Sequence, residues 1–137
     1  MTLNDQLAKV SDLFHARFVH KGRTPEALDC VGLIKICLKR FLNFELPEFD
    51  YEELWFDKDP LLLSRIWPTV FTPILCNTTL QLGDILFFRF HKEAVNHCAF
   101  YIGDGKMIQC LKGAGVLVTP VEKFKRFRAY VGRIPHG

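Results

Sequence analysis

The second half of this chain is written as strands. From Leu82 onward "GDILFFRF", "HCAFYIG", "KMIQCLK", "GVLVTP" and "AYVGRI" follow one another, rich in β-branched and aromatic residues and separated by glycine-bearing turns. A short helical piece, Val121 to Phe127, interrupts the last two. The first half has a different texture. Leu3, Leu7, Val10, Leu13 and Phe14 lie near helical spacing, which predicts a helix over 3–17, and residues 18–28, with Gly22 and Pro25, read as a loop. Helical segments over 50–66 would turn Leu54, Trp55, Leu61, Leu62 and Ile66 inward, and Pro68 and Pro73 break the chain after them. Helices first and strands afterwards predict an α+β domain, with N-terminal helices packed on one side of a C-terminal antiparallel sheet of about five strands. A length of 137 residues suits one domain spanning 1–137, large enough to bury a core that the 13 phenylalanines would build around rings.

The helix that matters most is "LDCVGLIKICLKR", Leu28 to Arg40. Leu33, Ile34, Cys37, Leu38 and Phe41 form an apolar stripe, and Lys35, Lys39 and Arg40 take the wet side. Asp29 is placed to cap the helix, its carboxylate accepting from first-turn N–H groups. Cys30 then sits on the first turn, where the positive end of the helix dipole favours a thiolate. Gly32 lowers helix propensity by roughly 1 kcal/mol against alanine, which makes sense if another segment or a substrate must approach closely. Taken alone, this cysteine reads first as a buried thiol serving as a small hydrophobe, the commonest fate of a free cysteine.

A thiol nucleophile needs a base. Of the five histidines, His97 is the one embedded in a strand, heading "HCAFYIGDGKMIQC". Side chains alternate along a strand, so His97, Ala99 and Tyr101 share one face, and Cys98, Phe100 and Ile102 the other. With "GDG" at 103–105 as a three-residue turn, Ile102 pairs with Lys106, Ala99 with Gln109, and Cys98 with Cys110; Gln109 then lies on His97's face, one diagonal away. A two-residue loop would put it on the opposite face. This register offers Cys30 as nucleophile, His97 as base, and Gln109 as the group that fixes the far ring nitrogen. Cys98 and Cys110 read as core residues. His20 is the rival base, close in sequence to Cys30; His15 lies on the first helix, and His91 and His136 look exposed.

Composition narrows the classes. No apolar run approaches the ~20 residues of a membrane span, and the start, "MTLNDQLAKVSDLF", lacks the features of a secretory signal, so synthesis in the cytoplasm and reduced thiols are expected. Five cysteines without a CxxC pair give no metal-ligand spacing, and a site from Cys30, His97, Cys98 and Cys110 has no support from it. The net charge of +3 is uneven: seven acids lie between Glu45 and Asp59, seven bases between Lys106 and Arg133. The basic stretch reads as a solvated face, since no nucleic-acid motif accompanies it.

The sequence resembles the NlpC-type cysteine peptidases of bacterial cell walls. "LDCVGL" is similar to their Asp-Cys-x-Gly-Leu signature, "LQLGDILFF" to the segment leading into the histidine strand, and "HCAFYIGDGKMIQC" to the histidine strand, turn and third-residue strand. The resemblance implies a papain-like fold, Cys30 as nucleophile, His97 as base and Gln109 as third polar residue, with no cofactor. It also implies hydrolysis of an amide in peptidoglycan stem peptides, commonly next to D-glutamate. Among family members the chain looks most like those encoded by bacteriophages and associated with tail assembly, which would make tail proteins its partners and place its action in a virion or at the wall after release. Two departures stand out: Phe18 occupies the position of a family tyrosine whose hydroxyl reaches the active site, and Gln109 is a neutral orienter. A fold retained for binding or as a tail component, and an amidase acting as an interbacterial toxin, are the other functions these residues allow.

Overall fold

The computed structural model describes residues 2–48, 50–51, 70–75, 78–90 and 95–135. Helix α1 (Leu3–Ala8) is closed by a capping box in which Thr2 Oγ1 accepts from the Asp5 N–H at 3.1 Å and the Asp5 carboxylate accepts from the Thr2 N–H at 3.0 Å. It stops nine residues short of the expected end. The Ser11 hydroxyl donates back to the Ala8 carbonyl, and the chain tightens into a 3-10 turn over Ser11–His15 that still buries Val10 and Leu13. The stretch read as a loop over 18–28 carries a small three-stranded sheet: β1 (Arg17–Phe18), β2 (Arg23–Thr24) and β3 (Ala27–Leu28), with β3 central. Two-residue strands carry too little periodicity to be seen in sequence. Helix α2 (Cys30–Leu42) follows, capped by Asp29 and ended by Asn43 in the left-handed conformation, φ 51°. The helices expected over 50–66 fall almost wholly outside the described residues, as do Cys76, His91 and His136.

The main sheet has six strands, not five: β4 (Thr72–Ile74), β5 (Ile85–Phe88), β6 (His97–Gly103), β7 (Lys106–Leu111), β8 (Gly115–Pro120) and β9 (Arg128–Arg133), in the order β4-β9-β5-β6-β7-β8 and antiparallel throughout. The extra strand contains Pro73, read as a breaker. It lies at the sheet edge against β9, where a missing N–H is tolerated. The turn after β6 also differs from expectation. It is the two-residue Asp104–Gly105, both with positive φ, and a bulge between Tyr101 and Gly103 absorbs the residue that the shorter turn would have displaced. Phe100 therefore still faces Ile108, and the expected register upstream of the bulge survives.

The two faces of the sheet bury different things. One packs against α2 and the N-terminal turns and contributes Ile85, Phe87, Cys98, Phe100, Ile102, Ile108 and Cys110. The other buries Leu86, Phe88, Ala99 and Met107 under the 3-10 turn of Val121–Phe127, whose Phe124 and Phe127 close over it.

Candidate active site

Asp29 and Cys30 are placed by the way α2 begins. Asp29 is buried, and four donors fill its carboxylate: the Gly32 N–H at 2.8 Å and Arg23 Nη1 at 3.0 Å on Oδ1, the Lys21 N–H at 2.9 Å and the Tyr51 hydroxyl on Oδ2. A carboxylate offers about four lone-pair sites, so this one is saturated and acts as an anchor rather than a ligand for something else. Arg23 is tied in turn to Glu48, through Nε at 3.1 Å, and to the Tyr51 hydroxyl at 2.8 Å. Burial, and then the bond to Asp29, push the Tyr51 phenol far above its usual range, keeping its hydroxyl a donor. Gly32 answers the question its composition raised. A Cβ there would stand 2.0 Å from the Gly22 carbonyl oxygen, so the glycine exists to let the 17–28 segment lie against the helix start.

Two groups of β6, Cys98 and His97, act on the half-buried Cys30 thiol. It is held well below the ordinary thiol range, at about 5. The largest cause is the hydrogen bond from Cys98, which points to the helix side of the sheet; burial opposes it, the hydrogen bond and charge of His97 lower it further, and the charge of Asp29 raises it. Cys98 moves the opposite way, well above the usual range, through burial and then through being the donor to Cys30. The remaining thiols are core groups. Burial raises Cys37 and Cys110 to about 12, and Cys110 Sγ donates to the Leu28 carbonyl at 3.3 Å.

His97 is 5% exposed and lies on the other face, stacked on Phe90 with ring centroids 4.9 Å apart and near Phe88 at 6.1 Å. Its Nε2 is 2.9 Å from Gln109 Oε1, and Gln109 Nε2 donates to Thr119 Oγ1 at 2.9 Å. Gln109 is completely buried. Continuing the Phe100–Ile108 pairing sets Gln109 opposite Ala99, with His97 one diagonal away; the Gln109–Leu117 pairing sets Thr119 one diagonal away on the other side.

The structure thus pairs His97 with Gln109 and sets Cys30, directly after its buried cap Asp29, under the influence of His97. His20 packs edge-on against Tyr51, 5.3 Å between centroids, and is not among the groups that shift the Cys30 thiol. Phe18, on β1, is partly buried against the helix-side core. Sequence reasoning missed Arg23, Tyr51, Cys98 and Thr119. Arg23 lies on a two-residue strand and Tyr51 in an irregular stretch, and no periodicity announces the approach of either. Thr119 could have been found by extending the diagonal argument one strand further. Among the described residues, no three His, Cys, Asp or Glu side chains are arranged to hold a metal ion.

The NlpC/P60 family model matches residues 15–132. Over 94 residues the chain is 29% identical to the "Probable endopeptidase YafL" of Escherichia coli K12, an alignment covering 67% of this chain and 32% of that protein, so the chain spans about a third of that relative's length. Among solved structures it superimposes on the NlpC/p60 domain of the peptidoglycan hydrolase SagA with a TM-score of 0.64 at 17% identity, covering 98% of this chain and 100% of that one. It also superimposes on RipD of Mycobacterium tuberculosis, described as a non-catalytic NlpC/p60 domain protein adapted to peptidoglycan binding, with a TM-score of 0.60 at 19% identity and coverage of 98% and 99%. At these identities the two structures speak for the fold alone.

Proposed function

This chain belongs to the NlpC/P60 family, and from that premise we propose that it is a cysteine endopeptidase hydrolysing an amide in peptidoglycan stem peptides. One arrangement carries the reading: a cysteine on the first turn of a helix, whose thiol pKa the His97 imidazole acts to lower, with that ring's Nε2 held by a buried amide. The Cys30 thiolate attacks the carbonyl carbon. The Gly32 N–H is occupied by Asp29 and the Leu33 N–H by the Asp29 carbonyl, so the first-turn N–H groups of Cys30 and Val31 serve the developing oxyanion. His97, protonated, gives its Nδ1 proton to the leaving amine; the resulting thioester is hydrolysed by water, with His97 as base. The bond next to D-glutamate is the one the sequence resemblance implies, and the names of the endopeptidase relative and of the peptidoglycan hydrolase neighbour support the substrate class.

Digestion of purified peptidoglycan tests this. The wild-type chain should release new amines, with muropeptide masses naming the bond, and Cys30→Ala should fall to background while still folding. Equal amine release by that variant would remove Cys30 as the nucleophile, and retention on peptidoglycan by a wild-type protein that cuts nothing would leave the binding role described for RipD in its place.

A further inference from the structure

A glutamine beside a catalytic imidazole has two polar ends, and here both are buried. Oε1 faces His97 Nε2, so the NH2 end needs an acceptor of its own, and the Thr119 hydroxyl on β8 supplies it at 2.9 Å. We propose that Thr119 is a positioning residue of the site: it anchors the far end of the Gln109 amide so that Oε1 stays on Nε2–H of His97 and the ring's Nδ1 is left facing Cys30. Three strands are involved, since β6 carries the ring, β7 the amide and β8 the hydroxyl, all on one face. Without the hydroxyl, the amide NH2 would be buried against an apolar group, a situation relieved only by the amide turning away from the ring. His97 would then lose the acceptor that fixes its ring, and the thiolate it faces would lose support in turn. The inference deepens the peptidase reading by naming what holds its base.

Thr119→Val is nearly isosteric and Thr119→Ser keeps the hydroxyl. The readout is the pH dependence of Cys30 alkylation by iodoacetamide in the full chain, followed by mass spectrometry at that peptide. We expect Thr119→Val to move the acid limb of the profile up by about one pH unit and to slow alkylation near its foot about tenfold, with Thr119→Ser close to wild type. An unchanged profile in Thr119→Val, even with a lowered Tm, would mark Thr119 as a packing residue and overturn the proposal. Nitrogen NMR of the neutral ring in Cys30→Ala, at alkaline pH, provides a second measurement that needs no Thr119 variant. The Nε2–H tautomer is expected; a dominant Nδ1–H tautomer would equally overturn it. Neither experiment uses a substrate, so a wild-type chain inert towards peptidoglycan would remove the peptidase reading and leave this assignment to stand or fall on its own data.

Discussion

The two sides of the candidate site are held by different chemistry. Cys30 rests on charge: a saturated carboxylate, a guanidinium shared between Asp29 and Glu48, and a phenol, which together tie the helix start to the 17–28 segment and to Glu48 and Tyr51. His97 rests on neutral groups, an amide and a hydroxyl, within an aromatic wall of Phe88 and Phe90. The contrast is physically sensible. A charged anchor can fix backbone rigidly, and Asp29 works against the thiolate only by its field, which Cys98 and His97 outweigh. Beside the base, a neutral orienter holds the ring by hydrogen bonding alone. Position is set by ion pairs on one side of the site, and the thiol's proton affinity by Cys98 and His97 working against Asp29.

The largest test breaks the anchored side by sterics alone. In Gly32→Ala the new methyl would meet the Gly22 carbonyl oxygen at 2.0 Å, and a backbone atom cannot swing aside as a flexible side chain would, so the helix start must shift. Peptidoglycan hydrolysis should fall by ~10²-fold, as expected for a displaced nucleophile, and urea denaturation should show a loss of ~3 kcal/mol. Near-normal values would mean that the 17–28 segment does not position Cys30. Next in size is Arg23→Met, which leaves Asp29 without its cation. The pair is mostly buried, 22% and 6% exposed, so a loss of ~2 kcal/mol is expected after allowing for the exposed part. The acid limb of Cys30 alkylation should stay within a few tenths of a pH unit, and a large shift would erase the division between placement and proton affinity.

The smallest change in stability belongs to Cys98→Ala, about 1 kcal/mol. Here the expected effect is on titration. The S–H that lowers Cys30 is removed, so the acid limb, near pH 5 in the parent, should move upward. The sign is fixed: thiolate is lost as pH falls through its pKa, so a raised pKa removes reactivity at mildly acidic pH while leaving it at alkaline pH. A profile identical to the parent's would assign the low pKa to His97 and the helix end instead.

Much of this arrangement was legible beforehand because period-two and period-3.6 patterns carry it. The α2 stripe, the Asp29 cap and five of the six main strands follow from such patterns, and Gln109 reached His97 by counting pairs across a turn. The turn itself is shorter than expected, yet the bulge at Ile102 restored the register, so Gln109 met His97 although the turn length was wrong. Arg23 and Tyr51 remained hidden because their partnership with Asp29 depends on how irregular segments fold over the helix start. Strand β4 was obscured by Pro73, since an edge position cannot be known before the strand order is.

The line from ring to amide to hydroxyl runs sideways over the pleats, crossing two hairpins. Hairpin connections are therefore part of the machinery in a way their exposed positions do not suggest. One residue added at 112–114 or removed at 103–105, uncompensated, would reverse which face a whole strand presents and carry Thr119 or Gln109 away from the imidazole. Loops of this protein that touch neither thiol nor ring are thus poor places to insert a tag or graft a sequence.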